Sequence, residues 1–380
     1  MSTEHTKHEQ ILASFVQGEC PNIAAQPVPL LSEDAIQILR EALTTARDHR
    51  NWLEAAHITN ALTLVHFHAF DLFAARREAE ESLSLLRAAN DVSEATARVL
   101  GNLATINYYA GEVPAALTCI NDALQIAINQ NKPLLHGYFW CSLASIQCYG
   151  GQYTAASQSF DQARQLFVAE GNSLGIAWQQ YVQGCEQDQD QGNFDQALEK
   201  LQATLPLLRE KTTPKITIEI LFGLAVAYLN QGDTKNADSR LGEAERLLTE
   251  GKYHWYRPKL FQLKAQLALA EGNFKLAAQH VHRGLSMVGD HGDLRTLSPL
   301  YRLLATILQQ EHSSMDSIMN ALDRAMAVGR TRARRLDLAL ALKETGTYMK
   351  VFANRATARA RGSGFLFEAE QMLTEMGLPT

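Results

Sequence analysis

The chain has 380 residues, 46% of them hydrophobic and 20% charged, with a formal charge of −6. That composition excludes a disordered or collagen-like chain, and the mild acidity argues against a general nucleic-acid coat, so nucleic acid is not an expected partner. The longest apolar stretch, Leu221 to Leu229, falls far short of the roughly 20 residues a bilayer needs, and the polar start lacks the apolar core of a secretory signal.

In chain order, residues 1–30 carry Pro21, Pro27 and Pro29, fit no repeat, and read as a mobile N-terminal arm or cap. Ser32 followed by Glu33 and Asp34 reads as a helix N-cap with acids in the first turn. Ala35, Leu39 and Ala42 then fit a lone helix near 32–48. Leu62 with Ala75 fits a first helix pair, with Phe70 where glycine is usual.

Five clear copies of one pattern follow. A helix ends at Gly, an aromatic or aliphatic residue comes two positions later, and Ala three after that. The best copy is Trp140, Leu143, Ala144, Gly151, Tyr153, Ala156, Phe160, Ala163. The turn glycines Gly111, Gly151, Gly192, Gly232 and Gly272 are spaced 40, 41, 40 and 40 residues apart. Tyr301, Leu304, Ala305, Leu322 and Ala325 fit a seventh pair. An eighth, from about Leu336 to Met376, reads as irregular, because Gly362 and Gly364 each cost about 1 kcal/mol inside a helix. The sequence therefore predicts one lone helix and about eight pairs over 31–380, with no β-rich segment.

Small residues at mid-helix let antiparallel helices approach closely, and Gly at the turn accepts positive φ. The Trp140 copy resembles the tetratricopeptide repeat (TPR), whose usual period is 34. The resemblance covers about 32–376 and implies an all-α, right-handed superhelical solenoid whose concave side is lined by first helices. The long period is similar to that of repeat domains in bacterial signalling proteins, such as the sensor domain of the maltose-regulon activator and the peptide-pheromone receptors. The resemblance also implies which residues form the concave wall: Asn60, Arg98, Asn102, Tyr108, Tyr138, Ser142, Gln179, Gln183, Glu219, Lys259, Gln262 and Arg302. Amide side chains both donate to and accept from a peptide backbone, and Tyr adds rigid contact area with a polar tip. Arg98 and Asn102, one turn apart, resemble the pairing with which some family members grip a carboxylate.

Chemistry is sparse. No phosphate-binding glycine loop occurs. His66 and His68, like His280 and His282, are two apart and point to different helix faces, so no metal site is expected. The five cysteines include no CxxC and read as free thiols in a reducing compartment. Glu186, Asp188 and Asp190 read as a solvated helix end. From 330 to 361, nine Lys or Arg face only Asp337 and Glu344, giving a segment near +7 and leaving the rest near −13. Arg330, Arg332, Arg334, Arg335, Arg355, Arg359 and Arg361 thus form a basic tip suited to an acidic partner.

The expected function is a non-catalytic scaffold or adaptor that binds a protein segment in its groove, with no cofactor and no membrane partner. The alternative is a peptide- or small-ligand-responsive sensor within a transcriptional regulation system. A cytoplasmic location is expected, and end helices are a route to homo-oligomers.

Overall fold

The computed structural model describes residues 33–251, 253–288, 294–331, 334–353 and 355–380. The arm expected at 1–30, Cys20 and Arg332 lie outside them. The described residues hold helices and no strand, and no helix is long and apolar enough to cross a membrane.

Helix α1 (Glu33–Asp48) stands alone, and eight antiparallel pairs follow. They are α2 (Trp52–His68) with α3 (Leu72–Ala88), α4 (Glu94–Tyr109) with α5 (Val113–Asn129), and α6 (Pro133–Tyr149) with α7 (Tyr153–Ala169). Next come α8 (Ser173–Gln183) with α9 (Phe194–Lys211), α10 (Pro214–Asn230) with α11 (Thr234–Glu250), and α12 (Arg257–Ala270) with α13 (Phe274–Val288). The last two are α14 (Leu297–Gln310) with α15 (Met315–Thr331), and α16 (Arg335–Phe352) with α17 (Ala356–Glu375). This is a TPR-like helical solenoid in class.

The turns explain the period. All five predicted turn glycines have φ between 73° and 77°. Phe70 (φ 60°) and His312 (φ 51°) hold the same left-handed conformation one period to either side. That conformation costs a non-glycine residue roughly 1–2 kcal/mol. At Phe70 the ring is buried, edge-on to Tyr109 at 6.2 Å, which helps to offset the cost. After each left-handed residue, the next N–H reaches back five positions to a helix carbonyl, as in Glu112 to Asn107 (2.8 Å) and Asp233 to Tyr228 (2.9 Å). The same residue often starts the next helix: Asp71 and Asp233 each accept from the backbone N–H three residues on. A second series, Arg50, Asn90, Asn131 and Gly171, repeats this geometry between pairs.

The contact alanines of the second helices, Ala75, Ala116, Ala156, Ala197, Ala237 and Ala277, are each 0% exposed. They set how closely the helices of a pair approach. The last pair is regular rather than broken: α17 runs continuously through Gly362 and Gly364. A Cβ at Gly362 would lie 3.0 Å from the Gly346 carbonyl oxygen, and one at Gly346 would lie 2.7 Å from that of Gly362. The glycine cost is met by a backbone-to-backbone crossing of α16 and α17.

The described residues divide into two compact units. Unit 1 holds the chain up to Ile146, Ala156–Val182 and Ala203–Thr217. Unit 2 holds Gln147–Ala155, Gln183–Gln202 and Ile218–Thr380.

Candidate functional site

In unit 1 two of the expected wall residues, Asn60 and Asn102, meet one another. Asn102 is 3% exposed and donates from Nδ2 to Asn60 Oδ1 at 2.9 Å. Arg98 instead folds back on Glu94, with Nε at 2.9 Å and Nη2 at 2.7 Å, while Lys132 takes the other carboxylate oxygen at 3.0 Å. Partial burial pushes the Glu94 carboxyl up, but the hydrogen bonds and charges of Arg98 and Lys132 win and hold it below the usual range. Arg98 and Asn102 therefore belong to separate networks. Tyr108, Tyr138 and Gln179 are buried, and the Tyr138 ring packs on Phe167 (4.9 Å) and Trp178 (6.2 Å). Ser142 is half-buried and donates to the Tyr138 carbonyl at 3.2 Å.

A lysine that the sequence did not single out sits among these rings. Lys215, in the first turn of α10, is 2% exposed. Its Nζ lies 4.4 Å from the Phe67 ring centre and 4.9 Å from that of Tyr109. Such placement over ring faces is attractive, the more so when desolvated. Phe67 and Tyr109 close the last turns of α2 and α4, so Lys215 reaches back from the fifth pair to the first.

In unit 2, Gln183, Glu219, Lys259, Gln262 and Arg302 occupy four successive first helices. Gln183 donates to Gln187 at 3.3 Å, Glu219 accepts from the Tyr256 hydroxyl, and Lys259 Nζ donates to Gln262 Oε1 at 3.3 Å. Arg302 Nε donates to Glu344 at 2.9 Å. Gln262 is buried; the other four are half-buried.

The acidic segment departs from expectation. Helix α8 passes into a π-turn at Gly184–Asp188, which takes up one extra residue. That residue accounts for the 41-residue step from Gly151 to Gly192. The bulge leaves no room on the adjoining α10: a Cβ at Gly223 would sit 2.8 Å from Cys185 Sγ. The segment expected to be solvated is instead packed inward. Asp188 is 3% exposed and pairs with Lys200 at 2.7 Å. Asp190 pairs with Arg334 and accepts from the Tyr153 hydroxyl at 2.9 Å. Arg334 also lies 3.7 Å from Glu186.

Burial pushes the Asp190 carboxyl up to about 7, with Arg334 opposing and Glu186 reinforcing. Burial likewise raises Asp337, against the pull of Arg334, Arg302 and Lys259. Burial of Arg334 disfavours its charge, but Asp190, Glu186 and Asp337 reverse this and hold its pKa well above the usual value.

The basic tip is consequently divided. Arg334 is drawn into the cluster, Arg335 pairs with Glu375, and Arg330 lies 3.8 Å from Glu368. Arg355, Arg359 and Arg361 stay exposed; Arg359 donates to the Ala353 carbonyl at 3.3 Å and Arg361 lies over Phe365 at 5.3 Å.

Comparison with known proteins bears on this site only through the fold. The model of the MalT-like TPR region matches residues 54–283. No curated protein matches the chain. Among solved structures, a Rap protein complexed with Competence and Sporulation Factor is similar over 99% of this chain and 98% of its own, at 12% identity and TM-score 0.68. The Rap conjugation gene regulator of the plasmid pLS20, in complex with the Phr* peptide, is 14% identical over 79% of this chain and 85% of its own, TM-score 0.65. Aspartyl phosphate phosphatase F from Bacillus subtilis is 13% identical over 94% and 98%, TM-score 0.53. At these identities the likeness establishes a shared helical fold.

Proposed function

The chain belongs to the MalT-like TPR family, and on that premise we propose that it is a non-catalytic scaffold that takes a protein or peptide segment against its first helices. The carrying observation is the run of Gln183, Glu219, Lys259, Gln262 and Arg302 along successive first helices of unit 2. Amide and charged groups in that order can pair with the backbone and side chains of an extended segment. In unit 1, Asn60, Arg98 and Ser142, none of them fully buried, are a separate set of polar groups open to the same kind of contact, in a cytoplasmic setting.

A second reading, a peptide-responsive regulator, is favoured by one finding: the pLS20 regulator of similar fold is a complex with the Phr* peptide. The two readings share one binding surface and differ only in the consequence of binding. Both are tested by panning a random decapeptide library on the purified protein and measuring the selected peptides by fluorescence anisotropy. Lys259→Ala and Gln262→Ala are each expected to weaken them about tenfold, as the loss of one well-made polar contact does. Peptides that bind both variants as tightly as the parent would sink the assignment of this wall.

A further inference from the structure

In a simple solenoid each repeat touches only its neighbours. Unit 2 breaks that rule. Arg334 lies in the junction between α15 and α16, and its partner Asp190 closes the first helix of the fourth pair, 144 residues earlier. Tyr153, which donates to the same carboxylate, opens the second helix of the third pair. A second contact lies beside the first. A Cβ at Gly151 would meet Met376 Sδ at 2.5 Å and Arg335 Cδ at 3.3 Å, so residues at both ends of the last pair cover that turn. Within unit 2, the segments 147–155 and 183–202 cannot both separate from the last pair without breaking both contacts.

The chemistry of the joint is not that of a site optimised for stability. Burying an ion pair costs several kcal/mol per ion, and an apolar replacement is often as good. The joint is also incomplete: Arg334 Nε has no hydrogen-bond partner among the described residues. Nor is it balanced. Asp190 faces Arg334, Glu186, Tyr153 and Asp337, while Asp337 faces Arg334, Arg302, Lys259 and Glu344. Those groups amount to three cations against four carboxylates. A contact that specifies how distant elements meet, yet adds little to holding them folded, suits a reversible joint.

We propose that Arg334 is the bolt of a conformational latch in unit 2, seated on Asp190, Glu186 and Tyr153, and that withdrawing it frees the eighth helix pair from the segments 147–155 and 183–202 of the same unit. The latch stands independently of the groove reading, because it needs no ligand.

Hydrogen exchange read by mass spectrometry on the full chain tests it. The amides of Gln152 and Asn193 are bonded within the two turns and so report on them. Arg334→Met should accelerate exchange about tenfold in 151–155, in 190–194 and in 335–340 together, while α12 and α13 keep their protection, as sub-global opening requires. The double variant Asp190→Arg with Arg334→Asp should restore much of the protection in the two turns. Unchanged exchange in both turns, or acceleration at 335–340 alone, would overturn the latch. If Arg334→Met does not fold, Arg334→Lys replaces it. Faster exchange in the same three segments supports the latch, and a uniform rise across 218–380 overturns it.

Discussion

Units 1 and 2 solve one geometric problem with opposite chemistry. In each, a cation at the entrance of a first helix reaches the last turn of the first helix four pairs earlier. Lys215 in unit 1 lies over the faces of Phe67 and Tyr109. Arg334 in unit 2 meets the carboxylates of Asp190 and Glu186. The rings around Lys215 pack against one another, with Phe67 and Tyr109 edge-to-face at 5.4 Å and Tyr108 and Tyr109 at 5.3 Å. They supply apolar contact as well as attraction for the charge. The carboxylates around Arg334 supply charge alone and repel each other. Unit 1 is therefore joined by packing, and unit 2 by a balance of charges that solution conditions can shift.

The largest expected effect attacks the packed joint. Phe67 is 1% exposed, and Phe67→Ala removes both its core contacts and one face of the lysine site. A loss of about 3–5 kcal/mol is expected by urea denaturation, the range for deleting a buried aromatic. A loss below about 1 kcal/mol would mean that the site collapses around the gap and that the two joints differ less than their residues imply.

The charged joint is sharpened by pH. The folded-state pKa of Asp190 is raised to about 7, above the usual carboxylate value of 3.8. The folded protein then binds this proton more tightly than the unfolded chain. Its contribution is fully present below about pH 4 and is lost as pH rises towards 7. Stability measured from pH 4 to 7 should carry this falling component, and Asp190→Asn should remove it. A parent and variant with parallel pH profiles would show that Asp190 is not held in a low-dielectric setting.

The smallest effect is expected at Arg98, whose ion pair with Glu94 is about a third exposed on both sides. Arg98→Ala should change stability by about 0.2–1 kcal/mol, as exposed pairs do. A larger loss would place this pair among the joints of unit 1.

The glycine turns were legible in the sequence because glycine is the default residue for positive φ, and five of seven such turns use it. The second series was legible only in part: Arg50, Asn90, Asn131 and Gly171 share a conformation, but only Asn90 and Asn131 share a residue type. The π-turn left a trace, the single 41 among spacings of 40, which reads equally well as a longer loop. Gly362 shows a different limit: propensity counts its cost in the helix, but not the crossing with Gly346 that uses it. For the charged joint the residues themselves were visible, as an acidic helix end and a basic tip. Their meeting was not, because periodicity orders neighbours along the array and is silent about elements four pairs apart.

The repeated turn has one more consequence, for how such a chain can change its length. Because the turns at Gly232 and Gly272 close with the same five-back hydrogen bond, Asp233 to Tyr228 and Asn273 to Ala268, excising the stretch between them would join two equivalent half-turns with no new backbone geometry. Gene duplication or deletion in whole periods is thus cheap for the turns. It is not cheap for the joints. That excision would bring Arg334 one pair closer along the chain and out of register with Asp190, while leaving Lys215 and Phe67 untouched. Repeat number is free to drift only where no side chain counts the pairs.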